Sequence, residues 1–188
     1  MLKRLILTLT VLLMLPISAA RADEYTDTLN LFKNAGESGS LLHSAYGYAV
    51  FPKIGKGGVG IGGAHGKGRV YEKGKRIGDT SMTQVTVGLQ LGGQVYSELI
   101  LFKDERALKE FTNGNFEFGA DANAIAITAA AGAQAGTTGG TSTNVSGGKK
   151  DAKTTGAYRK GIAVFTVAKG GLMYEASVGG QKFSYTPR

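Results

Sequence analysis

Residues 45–76 have the sequence AYGYAVFPKIGKGGVGIGGAHGKGRVYEKGKR, and this stretch decides the predicted fold. It starts with an apolar run, Tyr46–Phe51, which ends at Pro52. Glycine then alternates with Val59 and Ile61, and a Lys-Gly-Lys turn follows at 73–75. Short apolar runs bounded by glycine, proline and turn residues are typical of β-strands. The stretch therefore predicts strands joined by tight turns.

Strand patterns continue along the chain after this stretch. Apolar and polar residues alternate over 83–91, and 95–102 is predicted to follow as a hairpin across Gly92-Gly93. A long strand is predicted over 116–128, and residues 129–156, rich in Ala, Gly, Thr and Ser, favour a mobile loop or a weak hairpin. Further strands are predicted at 162–168, 172–178 and 182–185.

Two short helices are predicted outside the strands. In the first, over 24–35, Tyr25, Leu29 and Phe32 recur at helical spacing on one face. In the second, over 104–112, Asp104 is a suitable N-cap. The fold class is therefore α+β: a curved, mostly antiparallel sheet, open or nearly closed, with short helices. The 30 glycines fit bends and close packing in such a sheet.

The N-terminus has the three parts of a secretory signal peptide. Lys3-Arg4 precedes an apolar run that is short of the ~20 residues needed to span a membrane, and Ala20-Arg21-Ala22 fits the cleavage pattern. The predicted domains are a signal peptide, 1–22, and one domain, 23–188, with a net charge of +5. The predicted location is the periplasm, peripheral to a membrane or free. Because the chain has no cysteine, a lipoprotein anchor is not expected.

No motif predicts catalysis. Residues 58–63 match G-x-G-x-x-G, but no helix pattern follows, as a dinucleotide site requires. His43 and His65 lack a metal-ligand pattern, and no nucleophile elbow or carboxylate pair is present. We therefore expect no enzyme, no cofactor, no metal and no nucleic-acid partner.

Basic residues are concentrated between positions 53 and 76, among glycines that leave the backbone accessible. Lysine and arginine side chains together with backbone N–H groups suit an anionic headgroup, although a charge run is often only a solvated surface. The candidate lipid-binding residues are Lys53, Lys56, Lys67, Arg69, Lys73, Lys75 and Arg76.

Several segments resemble the SYLF domain family. They are AYGYAVFP at 45–52, GGVGIGGAHGKG at 57–68, GLQLGGQ at 88–94, LKEF at 108–111 and FGADA at 118–122. The resemblance covers most of residues 30–180 and implies a lipid-binding domain. Eukaryotic members bind phosphoinositides through a basic surface and an amphipathic N-terminal helix and connect membranes with actin; bacterial members are exported. The resemblance adds Tyr25, Leu29 and Phe32 as candidate membrane-contacting residues, but it does not extend to actin.

The predicted function is binding of lipid, above all anionic phospholipid headgroups at a membrane surface, through basic glycine-rich loops and the N-terminal helix. Each cation near such a surface contributes ~1 kcal/mol. Two alternatives stay open: a small outer-membrane β-barrel, which signal peptide and alternating strands fit, and an envelope scaffold that binds a protein partner. The lipid species, the oligomeric state and any protein partner are not indicated by the sequence.

Overall fold

A computed structural model describes residues 23–59, 61–87, 92–119, 122, 125–127, 158–169 and 178–188. The expected signal peptide, the segment 129–156 and most of the strand expected at 172–178 lie outside the described residues. The described helices are α1 (Glu24–Lys33), α2 (Gly36–Ser44) and α3 (Glu105–Thr112). None of these three helices is long and apolar enough to span a bilayer.

The strands of the described residues form one sheet. Its order is β5-β8-β3-β2-β1-β4-β7-β6, and every neighbouring pair is antiparallel except β6 and β7, which are parallel. The predicted class, α+β with a curved, mostly antiparallel sheet and short helices, is confirmed. The strands are β1 (Gly47–Val59), β2 (Ile61–Glu72), β3 (Lys75–Val87), β4 (Gly92–Phe102), β5 (Phe116–Glu117), β6 (Ile125–Ile127), β7 (Ile162–Ala168) and β8 (Lys182–Pro187).

The sheet curls, so that strands distant in the sheet order meet across its concave face. The rings of Phe51 on β1 and Phe183 on β8 are 5.8 Å apart, although β2 and β3 lie between the two strands. Phe111 of α3 packs against both Phe183 and Phe102. Together with Phe51, these rings form an aromatic cluster on the concave face. The concave face is therefore the larger core of the protein.

The convex face carries a second core, formed by α1 and α2. Phe32 of α1 is fully buried beside Val50, Leu99 and Phe165 of the sheet. Side chains on a strand alternate between faces, so Val50 faces α1 while its neighbours Ala49 and Phe51 face the concave core. Both faces of the sheet are thus covered around Val50, Leu99 and Phe165.

Two glycines of β2 leave room for large side chains on the concave face. A Cβ atom at Gly68 would lie 2.6 Å from the Phe51 ring, and one at Gly66 would lie 2.5 Å from Ile54. At Gly55, by contrast, a Cβ would meet nothing within 4 Å. Close packing therefore explains some of the interior strand glycines, as predicted, but not all of them.

Two local predictions were wrong. First, β3 and β4 do not form a hairpin, because β4 pairs with β1 and β7 while β3 pairs with β2 and β8. Second, 116–128 is not one long strand, because its described residues include two short strands, Phe116–Glu117 and Ile125–Ile127, at opposite edges of the sheet. Phe116 and Phe118 instead join the aromatic cluster on the concave face, with centroids 5.1 Å apart.

Helix α3 agrees with its prediction. It starts at Glu105, and the Asp104 carboxylate accepts a hydrogen bond of 2.9 Å from the Ala107 amide. The first helix is shorter than predicted and ends at Lys33, and α2 follows from Gly36.

Candidate functional site

The seven basic residues predicted to bind lipid lie on strands more than in loops. Residues 53–59 of β1 pair without interruption with 61–67 of β2, so the glycines between the lysines belong to a long hairpin. The expectation of basic glycine-rich loops was therefore wrong for this segment, apart from the short turn at Lys73-Gly74. Lys53 and Lys56 lie on β1, Lys67 and Arg69 on β2, Lys73 in the turn, and Lys75 and Arg76 on β3.

These residues also lie at different heights along the sheet. Lys53, Lys56 and Lys67 lie in the half of the hairpin nearer its glycine-rich end, whereas Lys73 and Lys75 lie beside the turn at the opposite end. Six positions along the strand separate Lys67 from Lys73, which corresponds to ~20 Å of extended chain. The seven side chains therefore do not form one compact site.

Lys53 and Lys67 are direct cross-strand partners, and we call them the basic pair. Their neighbours Ile54 and Gly66 face the concave core, so both lysines point to the convex side, where both are exposed. Like charges directly opposite each other on a sheet are destabilising. Among the described residues neither lysine has an ion-pair partner. The basic pair thus presents two uncompensated positive charges side by side.

An exposed apolar group lies beyond the basic pair, at the glycine-rich end of the hairpin. Val59, Ile61 and Val85 are 78%, 70% and 75% exposed, and we call them the apolar tip. Val59 is the cross-strand partner of Ile61, and Val85 is the partner of Gly63, two residues along β2. Ile61 and Lys67 are separated by an even number of residues, so they share the convex face.

His65 is exposed and lies between Ile61 and Lys67 on this face of β2. The face therefore runs from apolar side chains at the end of the hairpin to positive side chains further along it. Such an arrangement suits the boundary between the hydrocarbon and the headgroups of a bilayer.

The two arginines of the candidate set are engaged in the fold. Arg69 forms an ion pair with Asp23, and its guanidinium carbon lies 3.8 Å from the centre of the Tyr25 ring. Arg76 forms an ion pair of 2.5 Å with Asp79. Both arginines are therefore partly neutralised, and Arg69 joins β2 to the start of α1.

The predicted membrane-contacting face of α1 is turned towards the sheet. Phe32 has no exposed surface, and Tyr25 and Leu29 are partly buried against the same core. The helical face was predicted correctly as one apolar face. While α1 is docked, however, Phe32 is not available to a membrane, because the convex core occupies that face.

A shallow groove of about 260 Å³ lies where α1 meets β2, β3 and β8. Lys67 lines the groove together with Ser81 and Ser184, whose hydroxyl oxygens are 2.7 Å apart. The groove therefore extends the surface of the basic pair with hydrogen-bonding groups. It is lined by Tyr25, Lys67, Gly68, Asp79, Thr80, Ser81, Ser184 and Thr186.

A second polar site is buried in the concave core. Glu98 has no exposed surface, and its Oε2 accepts a hydrogen bond of 3.0 Å from Gln181 Nε2. The same amide nitrogen lies 3.3 Å from the Tyr96 hydroxyl. Burial raises the pKa of Glu98 to about 7, and the hydrogen bond from Gln181 opposes that rise. Within the described ranges no cluster of three or more His, Cys, Asp or Glu residues is placed to hold a metal ion.

Sequence reasoning missed both the apolar tip and Glu98. Val59 and Ile61 were recognised as strand residues, but a glycine-rich alternation does not indicate which face is solvated. Val85 lies in a cleanly alternating strand, yet its apolar face is exposed while Gln84 is buried. Glu98 carried a signal that could have been used, since it is the single charged residue within the apolar run 95–102.

Comparison with known proteins identifies the family to which this architecture belongs. The profile of the family described as "Ysc84: Las17-binding protein actin regulator" matches residues 83–186, which is more than half of the chain. The chain belongs to the Ysc84 (SYLF) family. The matched range extends from β3 to β8 and includes Glu98 and Gln181.

A curated relative supports membership of the Ysc84 (SYLF) family. The chain is similar to "Beta cell expansion factor A" of Aeromonas veronii, with 26% identity over 160 residues. The alignment covers 84% of this chain and 52% of the relative, so the chain spans about half the length of that protein.

Proposed function

We propose that this protein is a non-catalytic, exported domain that binds anionic phospholipid at a membrane surface in the periplasm. The basic pair and the apolar tip on the convex face of β1–β3 form the contact surface. The observation that carries the proposal is the cross-strand placement of Lys53 and Lys67, exposed and without a described ion-pair partner. An anionic headgroup would relieve the repulsion between the two ammonium groups.

The apolar tip supplies the second part of the interaction. Val59, Ile61 and Val85 leave most of their side-chain surface in water, which is unfavourable for three neighbouring aliphatic residues. Transfer of such side chains into the acyl boundary contributes ~0.8 kcal/mol per buried CH₂ group, and each lysine at an anionic surface contributes ~1 kcal/mol. The sum favours reversible, salt-sensitive attachment.

Family membership supports this assignment through the lipid binding that is associated with SYLF domains. The proposal differs from the prediction made from sequence in where it places the contact. The proposed contact surface is the half of the β1–β2 hairpin nearer its glycine-rich end. Helix α1, which was predicted to contact the membrane, instead packs in the convex core.

The test is co-sedimentation of the mature protein, residues 23–188, with vesicles of anionic or zwitterionic phospholipid at low and high salt. We expect wild type to sediment with anionic vesicles at low salt and to be released at high salt. The variant Lys53→Glu/Lys67→Glu should bind anionic vesicles at least tenfold more weakly, because each reversal replaces attraction by repulsion.

The matched control is Lys75→Glu/Lys103→Glu. It makes the same change of net charge at the opposite end of the sheet. There Lys75 is the cross-strand neighbour of Glu72, and Lys103 follows Phe102 at the end of β4. The control should bind nearly as well as wild type. Equal binding by wild type and Lys53→Glu/Lys67→Glu would contradict the proposed surface. Equal weakening of binding in both variants would also contradict it, because net charge alone would then explain the loss.

A further inference from the structure

The buried polar site around Glu98 contains unpaired oxygen atoms from two further residues, Gln181 and Thr166. Glu98 Oε1, Gln181 Oε1 and Thr166 Oγ1 are buried and have no hydrogen-bond partner within the described part of the chain. Thr166 is the cross-strand partner of Glu98, and Gln181 donates a hydrogen bond to the Glu98 carboxyl. The three unpaired oxygens therefore belong to one group of side chains. We call Tyr96, Glu98, Thr166 and Gln181 the interior cluster.

The interior cluster connects two parts of the sheet that are not neighbours. Glu98 lies on β4, whereas Gln181 immediately precedes β8, and the sheet order places β1, β2 and β3 between them. Four strand spacings amount to ~19 Å along the sheet. The direct hydrogen bond of 3.0 Å therefore joins the two sides of the curled sheet across its concave face.

No described neighbour offsets a negative charge on Glu98. From β1, the residue opposite Glu98 is Phe51, and from β7 it is Thr166. Tyr96, two residues before Glu98, is the titratable group that faces it, and Gln181 contributes a neutral amide. An isolated charge in such surroundings is costly, which is why burial raises the pKa of this carboxyl.

The two protonation states therefore differ in how well they satisfy the cluster. A neutral carboxyl carries a donor, and the same group contains Gln181 Oε1, an unpaired oxygen that can only accept, and the Thr166 hydroxyl, which can accept or donate. An ionised carboxylate has only acceptors, so Gln181 Oε1 would stay without a donor, and the buried charge would be solvated only by neutral groups, the Gln181 amide and the Thr166 hydroxyl. Water could reach that charge if Gln181 and the segment before β8 separated from β4.

We propose that the Glu98–Gln181 contact is a proton-dependent latch. The latch is closed when Glu98 is neutral, and it opens on ionisation, which admits water to the concave face between β4 and β8. This device is independent of the proposed lipid-binding surface, because Glu98 faces the concave core and Lys53 and Lys67 face the convex side.

Hydrogen exchange of the mature protein tests the latch. Amide exchange, corrected for the intrinsic effect of pH, is measured by mass spectrometry at about pH 5 and about pH 9, on either side of the raised pKa. We expect residues 95–102 and 178–187 to exchange at least tenfold faster at the higher pH, while the paired part of β1 and β2 changes little. In Glu98→Gln, which stays neutral, this local difference should disappear.

The control Glu37→Gln makes the same chemical change on the exposed surface of α2 and should behave as wild type. A uniform increase in exchange over all strands, or the same local increase in Glu98→Gln, would overturn the latch.

If Glu98→Gln does not fold, infrared spectroscopy of wild type provides an independent test. The carbonyl band of a protonated carboxyl should be present at the lower pH and should disappear in step with the loss of protection. Persistence of that band while residues 178–187 lose protection would also overturn the latch.

Discussion

The Arg69 guanidinium lies over the Tyr25 ring, 3.8 Å from its centre, and the same side chain forms an ion pair with Asp23. Arg69 of β2 thus contacts both Tyr25, in the first turn of α1, and Asp23, the residue before the helix. Tyr25 and Phe32 lie on the same face of α1, so this contact helps to keep the convex core closed.

The first prediction concerns this contact. Arg69→Ala should loosen α1, because a cation–π contact and a partly exposed ion pair together contribute roughly 1 kcal/mol. Hydrogen exchange over residues 24–33 should become about fivefold faster, which corresponds to that free energy. Arg106→Ala, which truncates an exposed arginine of α3, is the control and should leave exchange over 24–33 unchanged. The idea fails if the two variants give the same result.

The second prediction uses the absence of tryptophan from the sequence. Ile61→Trp places a single indole at the apolar tip, and Lys103→Trp places one at the opposite end of the sheet. With anionic vesicles, emission of Ile61→Trp should shift to shorter wavelength, because the indole enters an apolar environment. Emission of Lys103→Trp should stay unchanged. A shift in Lys103→Trp alone would place the membrane contact at the end of the sheet opposite the apolar tip and would contradict the proposed surface.

The third prediction separates two kinds of strand glycine. Gly68→Ala should lower the free energy of unfolding by about 1–3 kcal/mol, since the new methyl group would overlap the Phe51 ring. Gly55→Ala has open space around its Cβ and should be neutral or should stabilise by up to ~1 kcal/mol. Denaturant unfolding of both variants measures the difference. Equal destabilisation would show that packing against Phe51 is not the reason for glycine at 68.

The fourth prediction is a pH dependence of stability. Burial raises the pKa of Glu98 from 4.5 to about 7, so the unfolded chain loses this proton before the folded protein does. Relative to Glu98→Gln, wild type should have its highest free energy of unfolding below about pH 4.5. It should lose roughly 3 kcal/mol as the pH rises to about 7 and change little above that. Parallel curves for the two proteins between these values would contradict the assignment.

Local patterns in the sequence predicted local structure well. Asp104 was expected to cap a helix, and it does so because an N-cap depends only on the residues of one turn. The face formed by Tyr25, Leu29 and Phe32 was expected from helical spacing and packs on the sheet as one unit. Family membership was also recognised, because the segments that carry it are contiguous.

Predictions that depended on the arrangement of strands did less well. The spacing of β3 and β4 is that of a hairpin, but the partner of a strand is chosen by the whole sheet, and β1 occupies that position. Val85 and Gln84 show the same limit, because alternation gives two faces without showing which face the curled sheet encloses. For the basic residues, charge and spacing selected seven candidates, but only strand register shows that Lys53 and Lys67 are cross-strand partners.

The sheet order also determines when the fold can be completed during synthesis. The Thr80 hydroxyl on β3 donates a hydrogen bond to the Ser184 carbonyl on β8, a separation of 104 residues, and the Glu98–Gln181 bond spans 83 residues. A chain emerging from its N-terminus can therefore assemble β1 to β4 early, but the aromatic cluster lacks Phe183 until the last segment appears. Until then the concave face is exposed, and the nascent protein has a large apolar surface that chaperones can bind and proteases can reach.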